Sequence, residues 1–487
     1  MAQLCIAAWG VSLLVACGGA GAPAVRHGLG AVPARGWHYT VTMSKDLELA
    51  TSRVCVGTEE TVPPFLRAGV KHAARFARRA THLSADGTAH DLPLPDGGEV
   101  PLANVQPGDC IEIEIAVGDA AGSFRPLVVS RNGSWLVSTS MLFWGPSAGR
   151  EVFSGTVRFE LPPGVHVSAP FPVLDGVYQA GPDLHRFVGA VGFSKIAALE
   201  WETSGVTVTL QRVGGALRTT DEDLRAWISS GIAAVAGEGS FPVERLLVLA
   251  VPVPAAKEAV AFGQVVRGGG AAVSLFVHEE ATGAELMTDW VLVHELSHLL
   301  TPFSDDAWLS EGLATYYQEV LRARSGATDA VGAWRALDAG FARGEAREME
   351  ESLETESRRM HATHNYARVY WMGAALAFEM DVALRKRGGN LGSLDALLAE
   401  FRRTHDMGRP WAARALIREW DRMLGEPVLV PLCERGMVSR EFPDLSDRYE
   451  ELGLVRDRAG KLRLSDRAPH AAIREAITAG ATAPRTR

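Results

Sequence analysis

Apolar and polar positions alternate through the first third of the chain. The segments "WHYTVTM" (37–43), "SRVCVG" (52–57), "CIEIEIAV" (110–117), "RPLVVS" (125–130), "SWLVST" (134–139) and "VRFELP" (157–162) are short and separated by Gly, Pro, Asp and Asn. That texture predicts strands and turns. "RNG" at 131–133 reads as the turn of a hairpin. "PPFLRAGVKHAARFARRATHL" (63–83) looks partly helical, so residues 37–175 are expected to form a β-sandwich with a small helical insertion. From 176 the period changes. "GVTVTLQRV" (205–213), "ERLLVLAVPV" (244–253) and "GGGAAVSLFVHE" (268–279) read as strands, and "DEDLRAWISSGIAAVAGE" (221–238) has helical spacing. Helices are then predicted over 284–301, 307–323, 329–342, 364–387, 393–404 and 410–423, with a hairpin-like "GLVRDRAGKLRLSD" (453–466) in the tail.

A chain of 487 residues exceeds one core. The pattern divides it into a signal segment (1–17), a Gly/Ala/Pro-rich tether (18–36), the β domain (37–175), a strand-and-helix part (176–325), a helical part (326–445) and a small C-terminal segment with its tail (446–487). Residues 4–16, "LCIAAWGVSLLVA", have the length of a signal-peptide core and are too short for an ordinary membrane span. Export is therefore expected. The order Leu14-Val15-Ala16-Cys17 resembles a bacterial lipoprotein signal, which implies cleavage before Cys17, a lipid on its sulfur and anchoring at the cell envelope. Two features stand beside that reading: no Lys or Arg precedes Arg26, and a secretory cut near Ala20–Ala22 is the alternative. In an oxidising compartment Cys55 and Cys110 could staple the β domain; three buried free thiols, including Cys433, are the other option. A net charge of −9 with no basic stripe argues against nucleic acid as a partner.

The stretch "VLVHELSHLL" (291–300) carries the chemistry. His294 and His298 are one helical turn apart, with Cβ atoms about 5–6 Å from each other. Two imidazole nitrogens can then share one zinc ion at about 2.0–2.1 Å. Glu295, about 100° further round the helix, faces the open coordination position as a general base. Thr288 is the expected N-cap and Pro302 the expected stop. A catalytic zinc takes three protein ligands. "DDAWLSEGLATYYQEV" (305–320) offers the third, because Glu311 lies on a helix among Trp308, Leu309, Leu313, Tyr316, Tyr317 and Val320 and an acid there needs a partner.

"HELSH" followed by "WLSEGLATYY" resembles the gluzincin branch of the zincin metallopeptidases, including the aminopeptidase N and glycyl aminopeptidase families. The resemblance is close over 294–317 and loose elsewhere. It implies an α+β multidomain fold, a β-sandwich before a zincin (thermolysin-like) catalytic domain with a mainly helical C-terminal part. It also implies one Zn2+ held by His294, His298 and Glu311, with Glu295 as base. A tyrosine in a Y-x-K-G stretch steadies the oxyanion in these families. Tyr370, three residues before Gly373, matches it with Met372 in place of lysine, and Tyr366, His361 and His364 are rivals. Two departures stand out. Only twelve residues separate His298 from Glu311, and "GGGAAVSLF", read as the edge strand that pairs with substrate, lacks the acid that holds a substrate's amine in the aminopeptidases.

The reading is a zinc metallopeptidase, endo- or aminopeptidase, acting on peptides or proteins, with membrane contact through a lipid on Cys17. The alternative is an envelope binding or assembly protein with a structural zinc. Asp289, Asp305 and Asp306 are the acids nearest the histidines, and helix capping explains each of them.

Overall fold

The computed structural model describes residues 32–94, 98–121, 128–237, 239–254 and 257–479. The signal segment, with Cys5 and Cys17, and the last eight residues lie outside them.

The alternating segments of the first third form three sheets. The largest has eight strands, in the order Val173–Leu174, Val177–Ala180, Gly155–Glu160, Trp37–Met43, Leu49–Val56, Cys110–Ala116, Ala77–Leu83 and Ala89–Leu92. Its central strands bury every second residue, as a sheet packed on one face does. Cys55 and Cys110 are direct cross-strand partners in the antiparallel register and are joined by a disulfide. Cys433 is a buried free thiol. The "RNG" turn is present: Asn132 and Gly133 both have positive φ, between strands Val128–Arg131 and Ser134–Ser138. The stretch expected to be partly helical has one 3-10 turn, Lys71–Phe76, and then runs on as the strand Ala77–Leu83. Packing of the strand against Cys110–Ala116 overrides the local alanine content.

The strand-rich part extends further than 175. Ala190–Ser194 pairs with Ser134–Ser138, so the division falls between Ser194 and Leu199.

A five-stranded sheet follows, in the order Leu199–Thr203, Val206–Arg212, Arg245–Val253, Ala272–His278 and Val260–Val266. The three middle strands are parallel. Both faces are covered, which explains the unbroken apolar run of 246–251. Leu247, Leu249 and Val251 pack toward Val129, Leu136 and Ala190 of the first part. Leu246, Val248 and Ala250 pack toward the helices. The edge strand is Val260–Val266, not the "GGGAAVSLF" segment, which lies inside the sheet with a neighbour on each side. The sequence reading assigned no element to 260–266, because "VAFGQVV" has no clean alternation.

The remainder is helical. Ala307–Arg324, Ala330–Glu345, Tyr366–Arg387, Leu394–Thr404 and Ala413–Leu424 match predicted helices. The sequence reading missed Leu353–Thr363, Val430–Val438, Ser446–Leu452 and Ala471–Thr478, and Leu454–Arg456 with Leu462–Leu464 forms the expected hairpin. The fold is mixed α+β, sheet-rich first and helical last. Among the described residues no helix is long and apolar enough to cross a membrane.

Candidate metal centre

The expected helix over 284–301 is two helices. Gly283–Thr288 ends at Asp289, whose backbone is extended, and Val291–Ser297 begins anew. Thr288 does not cap the second helix: its hydroxyl donates back to the carbonyl of Glu285 at 3.0 Å. Asp289 Oδ1 accepts from the Val291 amide at 2.7 Å instead. Six residues before Thr288, Thr282 forms with Glu285 the capping box that starts the first helix. The histidine helix, Val291–Ser297, is buried along its whole length. Gly231 lets the helix Asp221–Ala236 approach it, since a Cβ there would meet Leu292 Cδ2 at 2.7 Å.

His298 falls in a 3-10 turn, His298–Leu300, and the chain turns away at Thr301, one residue before Pro302. Arg267 donates to the carbonyls of His298 (2.5 Å) and Thr301 (2.9 Å), and Arg402 donates to that of Leu300 (3.1 Å). Two cations thus sit at the negative end of the helix and satisfy its orphan carbonyls.

Glu311 is one turn into the helix Ala307–Arg324, whose buried face includes Trp308, Leu309, Leu313, Tyr316, Tyr317 and Val320 as expected. Its neighbour Gly312 crosses Gly373 of the helix Tyr366–Arg387. A Cβ on Gly312 would lie 2.4 Å from the Gly373 carbonyl carbon, and one on Gly373 would lie 2.0 Å from the Trp308 carbonyl oxygen. The two backbones touch only because both residues are glycine. That crossing sets Tyr370, one turn before Gly373, beside Glu311.

His294, His298 and Glu311 each offer one ligand atom, all within 4.8 Å of one another. Glu311 Oε2 is 3.3 Å from His294 Nε2 and 3.5 Å from His298 Nε2. Two imidazole nitrogens and a carboxylate oxygen are a donor set suited to zinc. Among the described residues the cluster has three members, one short of the four of a closed structural site. Burial disfavours the charged form of Glu311, but the positive potential of His298 and hydrogen bonds from both histidines outweigh it and hold the carboxyl far below the usual range. Burial raises the pKa of Glu295, against the pull of His294 and His298.

Glu295 lies against the edge strand, where its Oε2 accepts from the Val265 amide at 2.9 Å. Gly263 makes room for it: a Cβ there would meet Glu295 Cγ at 2.6 Å and Val291 Cγ1 at 2.7 Å. Tyr370 stacks on His294, with ring centres 6.3 Å apart and planes 13° from parallel. Burial, then the Glu311 charge and a hydrogen bond to it, push the phenol well above its ordinary pKa. Tyr366 bonds His361 at 3.2 Å and its ring lies 6.2 Å from that of His364. These three form a separate cluster next to Tyr370, and of the four rivals Tyr370 is the one against the metal cluster.

Asp305 is exposed, and Asp306 accepts from the Ala413 amide at 2.8 Å, so capping accounts for Asp289 and Asp306. The group that orients His294 is Gln318, whose Oε1 is 2.8 Å from Nδ1. It follows Glu311 by seven positions, two turns on the same helix face, and that spacing is a signal the sequence reading left unused. Gly263, Val265 and Arg267 carried no comparable local signal.

No protein-family model matches the sequence, and a search among curated proteins finds no relative. Solved structures do match. An aminopeptidase N family protein from Idiomarina loihiensis superposes with a TM-score of 0.63 at 14% identity, covering 89% of this chain and 82% of that one. A variant of an M1 zinc metallopeptidase from Deinococcus radiodurans, bound to a Tyr-Ser-Ala substrate, gives 0.53 at 16% identity, over 85% and 96%. Native leukotriene A4 hydrolase from Saccharomyces cerevisiae gives 0.50 at 11% identity, over 87% and 72%. The chain has the fold that these three structures share.

Proposed function

We propose that the protein is a zinc-dependent metallopeptidase. The observation that carries this reading is the convergence of His294, His298 and Glu311 beside a glutamate that the edge strand holds in place. His294, His298 and Glu311 would hold the ion. When bound, zinc supplies Lewis acidity, which acidifies a water and polarises a carbonyl. The remaining roles belong to the chain. Glu295 has one carboxylate oxygen engaged by the Val265 amide; the other takes the proton of the attacking water and passes it to the leaving amine. The Tyr370 phenol stays protonated at neutral pH and donates toward the oxygen on which charge develops. Glycine at 263 leaves the edge strand open to an extended peptide backbone. The fold neighbour bound to Tyr-Ser-Ala supports peptides as the substrate class.

Val260–Val266 contains no carboxylate, so this strand would read the substrate through backbone hydrogen bonds. Cleavage of an acetylated peptide at a rate similar to its free-amine counterpart is expected, and strict dependence on the free amine overturns that point. The decisive test of the mechanism is Glu295→Gln. It should abolish peptide hydrolysis and leave one zinc per chain by metal analysis; an active variant would sink the assignment.

Export and anchoring belong to the same reading. Cys17 lies outside the described residues. The support is the Cys55–Cys110 disulfide, which belongs in an oxidising compartment. Labelled fatty acid incorporated into the wild type and absent from Cys17→Ser is the expected result; an unlabelled wild type argues for the ordinary secretory signal.

A further inference from the structure

Behind His294 runs a line of buried polar side chains that hydrolysis does not use. His294 Nδ1 is 2.8 Å from Gln318 Oε1. Gln318 Nε2 donates to Glu319 Oε1 at 2.8 Å. Arg322 Nη1 donates to Glu319 Oε2 at 3.2 Å, and Arg322 Nη2 to the Thr288 carbonyl at 2.7 Å. Gln318 and Glu319 are both about 5–6% exposed, so water does not substitute for these contacts.

We propose that Gln318 and Glu319 are positioning residues that fix which nitrogen of His294 carries its hydrogen, and so hold the metal-facing nitrogen in its ligating form. The inference rests on the zinc reading above. Arg322 only donates, so it must meet an acceptor. The Glu319 carboxylate only accepts, so the Gln318 atom facing it must be the amide nitrogen. The opposite end of that amide, facing His294, is then the oxygen, which also only accepts. Nδ1 must therefore carry a hydrogen, which leaves Nε2, on the Glu311 side of the ring, as the nitrogen that would give up its own hydrogen to ligate the metal. The backbone carbonyl of Thr288, at the end of the helix preceding the histidine helix, anchors the line. The direction of every hydrogen bond follows from one donor-only residue at its far end.

This logic makes an unusual test possible, because changing Glu319 to an isosteric amide should invert the line. In Glu319→Gln the new oxygen turns to Arg322 and the new amide nitrogen faces Gln318. Gln318 then rotates and presents its own nitrogen to His294 Nδ1, which stabilises the tautomer with hydrogen on Nε2. Zinc must displace that hydrogen. The double variant Gln318→Glu/Glu319→Gln exchanges the two groups: the amide at 319 donates into the carboxylate at 318, which accepts from Nδ1 as before. Both variants deprive Arg322 of the same carboxylate, so their difference reports the group that faces Nδ1, an amide donor in the single variant and a carboxylate acceptor in the double one.

Zinc affinity by chelator competition on the full chain is the readout, with urea unfolding of the metal-free protein as control. Glu319→Gln should bind zinc roughly ten- to a hundredfold more weakly, and the double variant should recover the wild-type affinity or exceed it. Unchanged affinity in Glu319→Gln, or a double variant as weak as the single one, overturns the proposal. A wild-type protein that takes up no zinc overturns the underlying reading instead.

Discussion

The helical wall of the site and its strand wall hold their functional atoms by different means. On the helical side, Glu311 and Tyr370 project from the two helices locked by the Gly312–Gly373 crossing, and His294 and His298 from the buried helix Val291–Ser297 and the 3-10 turn that follows it. Each contributes an atom of its own. The strand side works through the backbone: the Val265 amide binds Glu295, the missing side chain of Gly263 makes the room, and Arg267 ties the end of the strand to the end of the histidine helix. A change on the helical wall removes an atom from the site. A change on the strand wall leaves every atom present and moves one. Metal content and turnover should therefore fall together on one side and separate on the other.

The largest effect is expected from Glu311→Ala. It leaves two histidines, one ligand short of a catalytic zinc site, so bound zinc should fall from one per chain to near zero and hydrolysis with it. A variant that keeps its zinc would mean that the third ligand lies elsewhere. Tyr370→Phe comes next. Removing one oxyanion donor lowers kcat about 10²–10³-fold, with zinc content and KM near wild type. If Tyr366→Phe produced that loss and Tyr370→Phe did not, the role would pass to the neighbouring cluster.

On the strand wall, Gly263→Ala should separate the two quantities. Its Cβ would stand 2.6 Å from Glu295 Cγ, so the carboxylate must move. A displacement of about 1 Å costs on the order of 10²-fold in rate. Zinc should remain stoichiometric, because the added methyl presses on the side chains of Glu295 and Val291 and on neither histidine. Loss of zinc from this variant would break the contrast between the walls.

The two walls were unequally legible in the sequence, for the same physical reason. The helical wall is local. His294 and His298 are four positions apart, Glu311 follows within a turn and a short loop, and Gln318 continues the same face two turns later. Helical periodicity brings such residues together whatever the rest of the chain does. Tyr370 is further along; the resemblance to a Y-x-K-G stretch pointed to it, while the helix crossing at Gly373 that positions it is visible only in the fold. The strand wall depends on pairing between 260–266 and 272–278 with a register shift between Val260 and Phe262, and no period in "VAFGQVV" announces that. The glycines at 268–270 drew attention to the wrong strand. They serve close packing: a Cβ on Gly268 would meet the Phe187 carbonyl oxygen at 2.4 Å, and one on Gly269 the Phe171 ring at 2.0 Å. Cys55 and Cys110 are intermediate. Each was legible as a strand cysteine, but their pairing depended on a register that only the folded sheet fixes.

The smallest effects should come from the two arginines at the end of the histidine helix, and they compare the walls most finely. Arg267, leaving the edge strand, donates to two carbonyls, of His298 and Thr301. Arg402, from the helix Leu394–Thr404, donates to the Leu300 carbonyl alone. Burial works against the charge of Arg267, and Asp183 partly offsets this. Truncating Arg267 to Met leaves two carbonyls without their charged donor, which costs about 1.5–3 kcal/mol in urea unfolding. Arg402→Met leaves one and should cost roughly half as much. Both arginines face the same helix dipole, so a loss that came only from charge at the helix end would be equal in the two variants. Unequal losses in the predicted order show that the strand holds the helix through specific hydrogen bonds. Arg267→Lys, which keeps the charge and loses the planar fork, should then fall between Arg267→Met and wild type.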